Sequence, residues 1–554
     1  MLFREVRAYA YAGLLAALWL LCSWTVVDAA CTVQTARPAS SFLYNERVQF
    51  TITSDLPSQR MTWSVIDHEE EVRIRGQIRT GEGTTALTIH PSPGVGYYTL
   101  KLSYDCGETY EKVFCILPHP DEARGDGGLF GLGGTPTWEK IWDAAWQIGA
   151  RHFRTEFAWT SVETEPGEYN LDWVRMVAGL AKERDMQLTV LTGHTPRQYG
   201  VRPVDAAEGQ CPPYYLWQPA RTIEWYRFID AMAGTLVPIR LDPEGGHPTD
   251  TLPRAGRPLV RAWEVWSEAD QGFYYGSWNR YLDMLRIARC TIRRRGRVEV
   301  VYGSCGHMTE MQGTLRAGCG DYFDRVAYHP YSDDPDWMLM HWYRNMPQAL
   351  LAYGNMTETA LTECGLHSPV EGHEAGYMPR VYATLKAYGE DLFVRSQCLG
   401  GVFTRHDEPQ ALARIVDNHL EPRPAYVAFA VTRWLLESAQ YVGPLQAPEG
   451  ARMELFVRRG HPMIIGWTTE GAQQVSLDLE AGAVLMDALG KSRRLEGRSV
   501  TIELTQDAVA VLGVSWDCFT AAAVAGLERV LTTELGHESP HDSAYVDPLE
   551  EDLA

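Results

Sequence analysis

RAWEVWSEAD, residues 261–270, is the stretch whose reading decides the fold. Trp263, Val265 and Trp266 make it short, apolar and aromatic, which reads as a buried strand. It ends in an acid, Glu268, flanked by Ser267 and Asp270. A carboxylate at the end of a buried strand is costly unless something uses or pairs it. A second such case is TALTECG, residues 359–365, which carries Glu363 near its end.

Around these two stretches the chain alternates strand and helix patterns. The expected strands are 129–133, 152–159, 187–193, 261–266, 298–305, 325–331, 359–365 and 399–405, each followed by a helical stretch. Eight such units predict a (β/α)8 TIM barrel over residues 126–438. In that count Glu268 ends strand four and Glu363 ends strand seven, so the two acids face each other across one barrel mouth. Long insertions at 199–219 and 242–258 interrupt the pattern, the first expected on the same face as the acids.

The flanks read differently. Residues 31–118 hold short alternating strands between Pro- and Gly-containing turns, the pattern of an immunoglobulin-like β-sandwich. Residues 440–515 return to strands and predict a small C-terminal antiparallel β-domain. Residues 516–554 form an acidic tail with a helix expected over 520–535 and disorder beyond it. Residues 1–30 resemble an export signal, with Arg4 and Arg7 before an apolar run and small residues near Ala30. That places the protein outside the cytoplasm: secreted, periplasmic or on the cell surface. An uncleaved N-terminal segment is the one route to a membrane.

Export makes cysteines interpretable. One disulfide is expected among Cys31, Cys106 and Cys115, and another between Cys305 and Cys319. No His/Cys spacing calls for zinc, and the chemistry below calls for no cofactor. A net charge of −21 argues against nucleic acid, which needs a basic face. The 18 Trp and 27 Tyr fit a carbohydrate partner, since aromatic rings stack on sugar faces.

Two converging carboxyls suit a glycosidic bond: one protonates the leaving oxygen while the other attacks or activates water. The segments HFRTEFAWTSVETEPGEYNLDW (152–173), LTGHTPRQYG (191–200), WEVWSEAD (263–270), VAYHPY (326–331) and LTECG (361–365) carry a family likeness. In their order and spacing the region 129–516 resembles clan A retaining glycoside hydrolases. It is nearest the β-xylosidase/α-L-iduronidase family and related bacterial exopolysaccharide hydrolases. The resemblance implies Glu268 as general acid/base and Glu363 as nucleophile. It implies Arg154 holding Glu363 ionised, and Tyr331 or His329 bonding the nucleophile or the sugar. His194 becomes a sugar contact, and Trp159, Trp217, Trp266 and Phe403 become stacking walls. One departure stands out: the family's Asn-Glu-Pro is Ser267-Glu268-Ala269 here. The family's Asn bonds the sugar 2-hydroxyl, and Ser267 is shorter. A catalytically silent carbohydrate-binding protein on the same scaffold is the competing expectation.

Overall fold

The computed structural model describes residues 31–55, 58–105, 107–122, 128–134, 139–203, 211–237, 258–303, 308–330, 345–346, 348–353, 358–364, 372–389, 393–395, 415–417 and 420–535. These divide into two compact units. The smaller comprises residues up to Ala36 together with Asn45–Pro93 and Tyr98–Val113, and the remainder forms the larger.

The smaller unit is built of antiparallel strands. Cys31–Gln34, Val48–Ser54 and Gly83–Ile89 make a three-stranded sheet. Gln59–Asp67 pairs with Val72–Thr80 on one side and with the strand reaching Tyr104 on the other. Alternation decides which residues are inside: Val48, Phe50 and Ile52 are buried while Gln49, Thr51 and Thr53 are exposed.

The larger unit holds a closed barrel of eight parallel strands. In chain order they are Gly131–Gly133, His152–Glu156, Gln187–Thr192, Val260–Val265, Glu299–Tyr302, Arg325–Tyr328, Glu358–Cys364 and Phe393–Arg395. Closure comes from Val394 and Arg395 pairing with Gly131 and Leu132. The first seven strands sit where the sequence predicts them. The eighth does not: Phe393–Arg395 closes the ring, and residues 399–405 lie outside the described residues. The longer apolar run LGGVFTR outweighed a three-residue strand, because periodicity carries no information about which run completes a ring.

The helices between strands follow the usual rules. Trp278–Arg293 starts at Ser277, whose hydroxyl accepts from the Arg280 N–H at 3.3 Å. Its buried face is Tyr281, Leu282, Met284, Leu285, Ala288 and Ile292, a helical spacing aimed at the barrel wall. Inside the barrel, Ala262, Val301, Ala327 and Ala360 form a small buried cluster from strands four to seven. Residues two apart on a strand share a face. The next inward positions are therefore Glu264, Gly303, His329 and Thr362, a polar layer stacked on an alanine floor.

Beyond the barrel lies a second sheet, ordered Gln440–Pro444, Ala451–Arg458, His461–Thr468, Val509–Val514, Gln473–Met486 and Ser492–Arg494. Ser499–Leu504 also pairs with Gln473–Met486. The sequence divides this region differently. Glu480-Ala481-Gly482 reads as a break, yet one strand passes through it, with Gly482 at φ +84° where the register shifts. Residues 500–511 read as one strand, yet they make two, because the Asp507 N–H turns back onto the Thr505 hydroxyl at 3.2 Å. The helix Phe519–Leu535 docks on the edge strand, where a side chain on Gly443 would meet the Ala522 carbonyl. Arg529 bonds Glu454 at 3.0 Å, and Tyr441 donates to the same carboxylate at 2.7 Å. Among the described residues no helix is long and apolar enough to cross a membrane.

Cys31, Cys115 and Cys319 carry free thiols, while Cys106 and Cys305 lie outside the described residues.

Gly303 has a positional reason. A Cβ there would run into the carbonyls of Val265 and Trp266, at the turn that leads to Glu268. Gly303→Ala is expected to destabilise the protein by about 1–3 kcal/mol, read as a lowered midpoint in thermal or urea unfolding. An unchanged midpoint would show that this turn has slack.

Candidate active site

Strand four sets the site. Trp263 and Val265 are fully buried on one side, and Glu264, 0% exposed, points to the other. Past Val265 the backbone leaves regular geometry: Trp266 (φ +66°) and Glu268 (φ +51°) are both left-handed, as is His194 (φ +62°) after strand three. Side chains other than glycine rarely adopt this, and the surrounding structure must hold it. The Trp266 indole donates to the Phe273 carbonyl at 2.7 Å. The buried Tyr281 hydroxyl donates to the Val265 carbonyl at 3.1 Å and accepts from the Gly303 N–H at 3.0 Å. These bonds pin the ends of strands four and five together and aim Glu268 over the mouth.

Arg154, from strand two, is the centre of the charge network. Its Nε and Nη2 bond both oxygens of Glu264 at 2.5 and 3.0 Å. Its Nη1 bonds Glu363 Oε1 at 2.7 Å, and Nη2 also reaches the Ser267 hydroxyl at 3.1 Å. Burial alone would depress the guanidinium, but the charges of Glu264 and Glu363 more than offset it and leave it raised. One cation thus serves two carboxylates, one sealed in the barrel and one at its mouth.

His329, from the end of strand six, joins the two acids. Its Nδ1 lies 2.8 Å from Glu268 Oε1 and 3.8 Å from Glu363 Oε2, and its Nε2 lies 3.0 Å from the Thr362 hydroxyl. One oxygen each of Glu268 and Glu363 and a ring nitrogen of His329 all fall within 4.8 Å of one another. Those three groups are close enough to touch one ion, but Arg154 already supplies positive charge to Glu363. Glu268 and Glu363 side chains are 21% and 23% exposed, enough for a ligand to touch both.

Glu268, Glu363, Arg154 and His329 converge as a single cluster. His329 bonds Glu268 at 2.8 Å, lies 3.8 Å from Glu363, and meets the Thr362 hydroxyl with its other ring nitrogen. Ser267 is inside the cluster but is engaged by Arg154. His194 stands at the rim, its Nδ1 2.6 Å from Glu156 Oε1. Tyr331 and Phe403 lie outside the described residues. Trp159 and Trp266 are 0% and 1% exposed, so they are core and not sugar-stacking walls. Trp217 is half-buried, its indole donating to the Pro212 carbonyl at 2.9 Å.

Three residues were missed by sequence reading: Glu264, Thr362 and Glu156. The signal for the first two was the period-two spacing from Ala262 and Ala360, which marks inward positions. Burial would raise the Glu156 carboxyl, but hydrogen bonding and charge from His194, and charge from Arg154, leave it below the ordinary carboxylate range. Exposed aromatic rings gather nearby. Tyr215 is edge-on to His194 at 5.2 Å and to Tyr214 at 5.8 Å. Their loop is knit to the one after strand four by the Tyr275 N–H bonding Leu216 O at 2.7 Å.

Neither protein-family models nor curated proteins match this chain. Among solved structures it is similar to a family 39 glycoside hydrolase from the gut symbiont Bacteroides cellulosilyticus WH2. The TM-score is 0.68 at 16% identity, over 87% of this chain and all of that one. A family 39 β-xylosidase from Caulobacter crescentus gives 0.49 at 14% identity, over 71% of this chain and 97% of that one. A family 30 endoxylanase from Clostridium papyrosolvens C71 gives 0.49 at 11% identity, with the same coverages. At 16% identity the likeness to the first of these is one of fold alone.

Removing Arg154 strands the sealed Glu264 charge. Arg154→Met is expected to cost about 3–5 kcal/mol of unfolding free energy in urea titration, and the double variant with Glu264→Met is expected to recover part of that. Additive losses would contradict the pairing.

Proposed function

We propose that this protein is an exported retaining glycoside hydrolase acting on a polysaccharide or oligosaccharide. The observation that carries the reading is the separation of the acids, with carboxylate oxygens of Glu268 and Glu363 within 4.8 Å. Retaining enzymes hold the pair about 5–5.5 Å apart, whereas inverting ones leave room for water at about 6.5–9.5 Å. The scaffold likeness supports the same class.

In this mechanism Glu363, held as a carboxylate by Arg154, attacks the anomeric carbon. The bond from that carbon to the leaving oxygen breaks as Glu268 gives its proton to that oxygen. Water then attacks the glycosyl ester, its proton passes to Glu268, and the ester bond breaks to release the sugar with its configuration retained. Metal and organic cofactors have no part in these steps. Sugar rings would stack on the exposed Tyr214, Tyr215, Phe273 and Tyr275. Ser267 accepts from Arg154, which leaves its hydroxyl proton for a sugar hydroxyl if the shorter side chain reaches one; otherwise another group makes that contact or the substrate differs at its 2-hydroxyl. The N-terminal β-module, read as immunoglobulin-like, would be an accessory or packing domain.

A polysaccharide panel with product analysis identifies the substrate. On that substrate Glu363→Gln is expected to lower kcat by about four orders of magnitude while sugar binding persists. Glu268→Gln is expected to cost about 10²–10⁴-fold. Tyr215→Ala is expected to raise KM several-fold, by about 0.5–1.5 kcal/mol, with kcat little changed. Saccharide binding without turnover by the wild-type protein would instead support the silent-scaffold reading. Hydrolysis persisting in Glu363→Gln would remove the assignment of the nucleophile.

A further inference from the structure

Hydrogen-bond donors and acceptors run in a fixed order from the barrel interior out to Glu268. Glu264 is 0% exposed and is gripped by two guanidinium N–H groups, so it is a carboxylate and can only accept. Its Oε1 also accepts the Thr362 hydroxyl at 3.2 Å. A hydroxyl has one proton to give. Having given it to Glu264, Thr362 can only accept from His329, whose Nε2 is 3.0 Å away. The ring proton therefore sits on Nε2. A neutral ring in that form presents a lone pair at Nδ1.

That lone pair faces Glu268 Oε1 at 2.8 Å. Against an ionised carboxylate, two acceptors would meet at bonding distance. The contact holds only with a proton between them, on Glu268 or on Nδ1. Among the described residues, the neighbouring charged groups have partners of their own. Glu363, on strand seven, is 3.8 Å from Nδ1 and is paired with Arg154. Glu264, on strand four, is paired with Arg154 and Thr362. Glu156 and His194 pair with each other at the rim. The Cys364 thiol lies 3.9 Å from the Pro330 carbonyl.

We propose that Glu264 and Thr362 are positioning residues that fix His329 with its proton on Nε2, so that its Nδ1 lone pair keeps a second proton on the Glu268–His329 pair. The inference rests on reading Glu268 as the acid/base of a glycosidase. It adds how that group is kept loaded. When the proton leaves with the departing oxygen, the new Glu268 carboxylate faces the Nδ1 lone pair at close range. That repulsion favours return of a proton from the attacking water to the same place. The second half-reaction thus resets the first, with the Glu264–Thr362 chain unchanged.

The direct test is the tautomer of His329 in full-length protein labelled with ¹⁵N in its histidine rings, the signal assigned by its loss in His329→Gln. The expected spectrum shows Nε2 protonated in every state, as the neutral ring or the imidazolium. A neutral ring protonated on Nδ1 overturns the proposal. Thr362→Ser is expected to keep the wild-type pattern, and Thr362→Val to lose the preference for Nε2–H. In rate measurements, Thr362→Val is expected to move the alkaline limb of kcat/KM down by about one pH unit, the worth of one hydrogen bond. Thr362→Ser is expected to leave that limb in place. An unmoved limb in a folded, active Thr362→Val overturns the relay. The ring spectrum needs no turnover. The expected tautomer in a protein that hydrolyses no glycan counts against the glycosidase reading alone, whereas hydrolysis with an Nδ1-protonated ring counts against the relay alone.

Discussion

The bond on which the site depends is the grip of Arg154 on Glu264 inside the barrel. A buried charge pair is expensive to form, and its cost is bearable only when every donor and acceptor is satisfied. Here both Glu264 oxygens are met, one of them also by Thr362. Because the guanidinium is planar and anchored at two points, its remaining Nη1 can point in one direction only. That direction holds Glu363. The nucleophile candidate is thus placed by an ion pair one layer below it.

The second acid is placed by backbone geometry. Trp266 and Glu268 sit in left-handed conformations, stabilised by the Trp266 indole bond and the Tyr281 clamp. Tyr281 lies on the helix after strand four, and its fully buried hydroxyl spans strands four and five. Gly303 completes the arrangement by leaving room for the turning chain. One acid is therefore fixed by charge and the other by packing, and His329 bridges Glu268 to the interior. Such backbone strain is a mark of functional sites in general.

Much of this was legible in the sequence. Strands four and seven announced themselves through RAWEVWSEAD and TALTECG, because an acid ending an apolar strand has few bland explanations. What stayed hidden was hidden for physical reasons. Glu264 lies in the middle of its strand, where sequence cannot separate a buried ion pair from an outward charge until the facing strands are known. Ser267 looked like a weakened sugar contact, and only three-dimensional proximity shows Arg154 reaching it. His329 was read toward the nucleophile or the sugar, and its bond to Glu268 shows only once Thr362, on a neighbouring strand, is seen against its other ring nitrogen. Trp159 and Trp266 were aromatic enough for sugar walls, but composition cannot distinguish a wall from a core. The eighth strand, three residues long, carried too little pattern to be found.

The central claim is that Glu363 becomes covalently bonded to sugar during turnover. The most direct measurement is trapping with a set of activated 2-deoxy-2-fluoro glycosides of different sugars, followed by mass spectrometry of the digested protein. The account predicts one added glycosyl mass, located on the peptide containing Glu363. A label on any other residue, or release of product from such a donor with inverted configuration, would contradict it.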